Sequence, residues 1–172
     1  MTERDRRKRF DALYASYDRR VFAYCIYVVG DHDLANDIYQ EVFIKAYQAL
    51  HTLRDEAKEA NWLFRIARNE CLNAMKSRQR NDKRHISLDS SPEPGIQGDG
   101  MTTRDAHDHL RKAINQLPTE YREALLLAEF EGFSLKEIAE ITGASLSNVK
   151  VRIHRAKQKL YTLLEPILND YE

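Results

Sequence analysis

Apolar residues return every three or four positions along almost the whole chain, and nowhere do they alternate in the two-residue rhythm of a strand. That periodicity restricts the fold to packed helices. Phe10, Leu13, Tyr14, Tyr17, Val21, Cys25 and Val28 mark a first helix, closed by Gly30-Asp31. A second runs from about Asp33 to His51 on Leu34, Ile38, Val42, Phe43, Ala46, Tyr47 and Leu50. A third, from about Glu59 to Arg80, carries Trp62, Leu63, Ile66, Ala67, Cys71, Ala74 and Met75. The rhythm then stops. The next stretch holds Ser-Ser-Pro-Glu-Pro-Gly and Gly-Asp-Gly with very few apolar residues, which reads as a flexible linker. Helical spacing resumes on Leu110, Ala113, Ile114 and Leu117, restarts after Pro118, and pauses at Gly132. The expected fold is all-α: one helical domain over 8–80, a linker over 81–104 and a second helical domain over 105–166, free of any need to touch the first.

The last helices carry the sharpest local pattern. Ser134-Leu-Lys-Glu137 is a capping box, and Gly143 falls where a tight turn requires a left-handed backbone. Leu135, Ile138, Ala139 and Ile141 are expected on the inner face of the helix before that turn. Val149, Ile153, Ala156 and Leu160 form the inner stripe of the helix after it, within about 60 degrees of one another. Ser147, Asn148, Lys150, Val151, His154 and Arg155 then face outward. This is helix-turn-helix spacing, with hydrogen-bonding side chains near the start of the second helix and cations around them, as a DNA major groove requires.

A net charge of zero argues against nucleic acid only as an average. From Trp62 to Arg84 seven basic residues face two acids, and from Gly143 to Lys159 five basic residues face none. Between them, Glu120 to Glu140 holds six glutamates against Arg122 and Lys136. Two basic segments imply two phosphate-facing surfaces, with the acids left for another purpose.

On the second helix, Asp33, Asp37, Gln40, Glu41 and Ile44 lie on one side, away from Leu34, Ile38 and Val42. An isoleucine on such a polar face suits protein docking. The order Asp33-Leu-Ala-Asn-Asp-Ile-Tyr-Gln-Glu-Val-Phe43, Trp62-Leu-Phe-Arg-Ile-Ala-Arg-Asn69, basic tail, linker and helix-turn-helix resembles the extracytoplasmic-function sigma factors, group 4 of the sigma-70 family, over about Phe10 to Leu164. The resemblance implies sigma region 2 followed by region 4, with core RNA polymerase and promoter DNA as partners and an anti-sigma factor as restraint. It implies that the Asp33–Ile44 face docks on the polymerase clamp. It places Asn69 and Asn73, the latter where many relatives carry aspartate, on the opened minus-10 strand, with Arg65, Arg68, Lys76, Arg78 and Arg80 drawing phosphate. It assigns the face from Ser147 to Arg155 to the minus-35 element. Elements roughly 16–17 base pairs apart are separated by about 55–60 Å.

A rival reading is a repressor or activator that binds operator DNA by itself as a dimer, which would need a self-association face and no polymerase patch; a helical adaptor with no DNA role fits the acid-free last helix poorly. No catalytic set, cofactor loop or metal-ligand spacing is present in the sequence, so neither an enzyme nor a metal site is expected. Cys25 and Cys71 are expected as buried thiols in a reducing cytoplasm, and Trp62 as a core residue. No apolar run approaches the roughly 20 residues of a membrane span.

Overall fold

The computed structural model describes residues 1–82 and 102–170. They form α1 (Glu3–Val29), α2 (His32–Ala49), α3 (Glu59–Asp82), α4 (Thr103–Gln116), α5 (Thr119–Leu125), α6 (Leu135–Thr142) and α7 (Leu146–Asn169), with no strand among the described residues. The flexible linker expected over 81–104 lies outside the described residues except at its ends. There Asn81 and Asp82 complete α3, Thr102 caps α4, and Thr103 and Arg104 open that helix.

The sequence periodicity placed the helices within a few residues; the caps explain the rest. α1 begins two turns before its first apolar residue because Thr2 and Asp5 form a capping box, so the charged start of the chain is helical. Asp31 caps α2 by accepting from the Leu34 amide at 2.9 Å. That hydrogen bond, followed by the charge of Arg78, holds the Asp31 carboxyl below its ordinary pKa. Thr102 and Asp105 repeat the capping box at α4. Past α5 the chain continues through a wider helical turn, Leu126–Phe130, before Gly132 takes a left-handed backbone and the chain bends toward α6.

α1, α2 and α3 pack as a three-helix unit around Leu13, Val21, Cys25, Val42, Leu63, Ala67 and Cys71, all at most 1 % exposed. Both cysteines are buried free thiols, as expected. Trp62 is half-buried and packs against this core. The core does not stop at the domain boundary. Ile114, Leu126, Leu127, Ile138 and Ile141 of the second domain belong to the same buried cluster. Phe64 meets Phe133 edge-on at 5.3 Å between ring centres, and Tyr27 lies 5.3 Å from Phe130. The expectation of two domains that need not touch is therefore corrected: they dock through a shared apolar core.

Two adjacent residues of α5 lock that docking. Arg122, buried, reaches the ends of two helices: it donates to the carbonyls of Ile114 (3.1 Å), Asn115 (2.6 Å) and Leu117 (2.9 Å) around the end of α4, and to Val28 at the end of α1. A cation at two helix C-termini satisfies carbonyls left without intrahelical partners and complements both dipoles. Glu123, its side chain 2 % exposed, accepts from Arg68 of α3 through both oxygens, at 2.9 and 3.1 Å. Gly30, at φ +72, lets α1 end against Asn115; a Cβ there would sit 3.0 Å from the Asn115 amide nitrogen.

Arg122→Met keeps the length of the side chain and removes every one of these donors. It should lower stability by about 2–4 kcal/mol in urea unfolding followed by helical circular dichroism. A loss below about 1 kcal/mol would show that the carbonyls are satisfied without it.

Candidate nucleic-acid interface

The turn between α6 and α7 is set by three local devices. Ser134 and Glu137 close the expected capping box, at 2.8 and 3.1 Å. Gly143 follows Thr142 with φ +73. Ser145 caps α7 by accepting from the Asn148 amide at 3.1 Å. Ile138 and Ile141 of α6 then share a buried cluster with Val149 and Ile153 of α7, while Ala156 is buried with Leu117 and Leu125. Leu135 departs from its expected inner position: it is 37 % exposed at the first residue of α6, and the inner face begins one turn later at Ile138. Leu160 is half-buried, and α7 continues ten residues beyond Lys159, through Pro166, to Asn169.

The packing turns one face of α7 outward. Ser147, Asn148, Lys150, Val151, His154 and Arg155 are all exposed. Arg155 touches the Tyr121 hydroxyl at 3.4 Å, while Lys150 and His154 have no ion-pair partner among the described residues. The cations on the flanks are tied down instead. Arg152 lies 3.6 Å from Glu120, and Lys157 lies 2.6 Å from Glu129. The arrangement leaves a polar face with one apolar side chain, Val151, free to enter a groove, with anchored cations at its margins.

α3 presents a second such face. Arg65, Asn69, Asn73, Lys76 and Arg80 are exposed, and their spacing puts them within about 80 degrees of one another. Arg68 and Arg78, expected with them, are off that stripe. Arg68 turns inward to Glu123, and Arg78 pairs with Asp31 at 3.2 Å. Beside the Arg65 end opens a cavity of ≈ 360 Å³ whose walls include Arg54, Lys58, Trp62 and Arg65. An aromatic edge beside three cations suits an unstacked nucleotide. Arg54 and Lys58 were not singled out by sequence, because Arg54-Asp-Glu-Ala-Lys-Glu59 alternates in sign and reads as an ordinary solvated loop. Glu140 of α6 stands at the cavity's mouth, accepting from Asn61 at 2.9 Å.

The α2 face expected to dock a protein partner is turned to solvent. Asp33, Asp37, Gln40, Glu41 and Ile44 are all exposed, within about 100 degrees of helix circumference, and Ile44 is 51 % exposed. Along its edge runs a groove of ≈ 520 Å³ between α1 and α2, floored by Phe10, Tyr14, Tyr39 and Phe43 and edged by Gln40 and Ile44. Tyr39 donates to the Tyr14 hydroxyl at 2.7 Å; burial, followed by this hydrogen bond, raises the Tyr39 pKa above its ordinary value.

The region 2 family of sigma-70 matches residues 13–81, and the sigma-70 region 4 family matches 107–160. Among curated relatives, the RNA polymerase sigma-H factor of Pseudomonas aeruginosa is 32% identical, covering 98% of this chain and 92% of its own. The RNA polymerase sigma factor SigZ of Bacillus subtilis is 34% identical, covering 89% and 85%. Among solved structures, the sigma factor RpoE bound to the anti-sigma factor NepR, from Bartonella quintana, superimposes with a TM-score of 0.79. It is 28% identical and covers 92% of this chain and 98% of that one. CnrH, solved with the cytosolic domain of CnrY, shares the fold at a TM-score of 0.67 and 24% identity, over 93% and 90%.

Two of the three left-handed glycines among the described residues, Gly30 and Gly143, admit a clean comparison. Gly143→Ala meets nothing within 4 Å and should cost about 1–2 kcal/mol of backbone strain alone. Gly30→Ala adds the collision with Asn115 and should cost distinctly more in the same urea titration. Equal losses would mean that Asn115 swings away freely.

Proposed function

The chain belongs to the extracytoplasmic-function branch of the sigma-70 family, and from that premise we propose which residues read the promoter. As a sigma factor it binds core RNA polymerase and directs promoter-specific initiation, working with polymerase and DNA in the cytoplasm. No described helix is long and apolar enough to cross a membrane. In this reading the chain contributes binding surfaces and no catalytic residue of its own.

The carrying observation is that two separate helices, α3 and α7, each turn a polar, cationic stripe to solvent. The division of work follows from their chemistry. Ser147, Asn148, Lys150, Val151, His154 and Arg155 lie in the major groove of the minus-35 element, with Lys150 and Arg155 on base edges or phosphates and Val151 against a thymine methyl. Asn69 and Asn73, whose amides both donate and accept, take bases of the opened minus-10 strand. Arg65, Lys76 and Arg80 follow its phosphates, joined by Arg78 and, once released from Glu123, by Arg68. Asp33, Asp37, Gln40, Glu41 and Ile44 dock on the polymerase clamp, which leaves the α3 stripe free for DNA. Residues 8–80 and 105–166 are the two working domains, and 81–104 the segment that spans between promoter elements. The anti-sigma partner in the related solved complex supports a restraint of the same kind for this chain.

Run-off transcription with core polymerase on a genomic promoter pool tests the reading. The protein should select start sites that core alone does not. Lys150→Ala combined with Arg155→Ala should reduce that selected transcription about tenfold or more, given about 1–3 kcal/mol for a good base contact. Asn69→Ala should reduce it while leaving the affinity for core polymerase intact. Tight, specific binding of promoter duplex without polymerase would favour a self-sufficient repressor instead.

A further inference from the structure

The cations of α7 are held in two different ways. α5 packs along α7, and from α5 and the wider turn after it two carboxylates and one hydroxyl reach across. Glu120 lies 3.6 Å from Arg152, Glu129 lies 2.6 Å from Lys157, and the Tyr121 hydroxyl accepts from Arg155 at 3.4 Å. The kind of group follows the position on the helix. Opposite the inner stripe of Val149, Ile153 and Ala156 lies the middle of the outward face. At 100 degrees per residue, Arg152 and Lys157 fall about 110 degrees to either side of that middle, and Arg155 within about 50 degrees of it. The two cations on the flanks are therefore neutralised by carboxylates. The cation on the face is steered by a neutral hydroxyl that leaves its charge whole.

With α7 in a major groove, its flanks face the two sugar-phosphate backbones. A cation that meets phosphate adds affinity for every duplex alike and carries no sequence information. Arg152 and Lys157 can make such contacts only by leaving their glutamates. Each vacated carboxylate then takes up a counterion in place of the one the phosphate releases, so the exchange gains nothing from counterion release. The carboxylates, with side chains 67 % and 48 % exposed, also repel the backbone themselves.

We infer that Glu120 and Glu129 are specificity-determining positioning residues, which withhold Arg152 and Lys157 from DNA phosphates so that the face from Ser147 to Arg155 decides which duplex is bound. The inference rests on the promoter-reading function above and deepens it. Affinity for every duplex falls, and base contacts make up a larger share of what remains.

The test compares the full-length chain with the double variant Glu120→Gln and Glu129→Gln. A control, Asp11→Asn with Glu165→Gln, removes the same charge from two exposed acids outside these pairs. Exposed ion pairs add little to folding, so all variants should keep the wild-type helical circular dichroism. Binding of a fluorescent duplex of random sequence is followed by anisotropy between about 50 and 200 mM salt. The slope of log affinity against log salt should steepen by about 1.8 in the double variant, a loss of about tenfold more affinity than the wild type shows over that range. Adding Arg152→Met and Lys157→Met should return the slope to that of the wild type, and the control should stay near it. In run-off transcription with core polymerase on the genomic promoter pool, the double variant should keep the wild-type start sites. Their yield over other starts should fall about threefold or more. An unchanged slope, a control as steep as the double variant, or unchanged selectivity overturns the role of the two glutamates. If the wild type selects start sites in that case, the promoter reading stands without it. A wild type that selects none overturns both.

Discussion

Arg122 and Glu123 are neighbours in sequence, opposite in charge, buried, and pointed at different partners in the first domain. A buried charge without compensation costs several kcal/mol, so α5 can settle only where both demands are met together. One demand is a set of carbonyls at the ends of α1 and α4; the other is the Arg68 guanidinium on α3. Only one placement of the second domain on the first supplies both. Apolar contact such as Phe64 on Phe133 adds attraction but little direction, because ring pairs tolerate many angles. The ion pair and the carbonyl staple fix the pose. Gly30 belongs to the same constraint, since a Cβ there would press on the Asn115 side chain at the end of α4.

Much of this chain was legible because its signals are local. The capping box at Ser134, the turn at Gly143, the inner stripe of Val149, Ile153 and Ala156, and the exposed stripe on α2 all depend on spacings of eleven residues or fewer. The domain docking depends on pairs such as Arg68 and Glu123, 55 positions apart, and Arg122 and Val28, 94 apart. Nothing near Glu123 distinguishes it from a solvated glutamate, and nothing near Arg68 separates it from the phosphate-facing cations around it. Only helical angle does so: Arg65, Asn69, Asn73, Lys76 and Arg80 share a stripe that Arg68 and Arg78 leave. The acids between Glu120 and Glu140 were legible as a group without a purpose, and the fold supplies it.

Charge is partitioned by position as well as by segment. On α7, Arg152 and Lys157 are held by Glu120 and Glu129 from the preceding helical stretch, while Lys150 and His154 are left unpaired among the described residues. Exposed ion pairs of this kind contribute little to stability, about 0–1 kcal/mol. Their larger effect is geometric. They restrain long side chains that would otherwise fold across the reading face, and they neutralise flanking cations that would bind any duplex without regard to sequence. Specificity gains when fewer free cations surround the residues that meet base edges.

A docked pair of domains can separate only if neither is left with an intolerable surface. The ion-paired groups rehydrate on opening: Arg20, Arg68, Asn61 and their glutamates are all at home in water. Each domain also keeps apolar packing of its own. α1, α2 and α3 enclose Leu13, Val42 and Leu63, while Leu117, Leu125 and Ala156 form a separate buried cluster against Tyr121, Leu160 and Leu163. The cost falls on Leu126, Leu127, Phe133 and Phe64, which lose their cover. At roughly 25 cal/mol per Å² of apolar surface, that exposure favours the docked form by an amount a polymerase surface of similar area could offset.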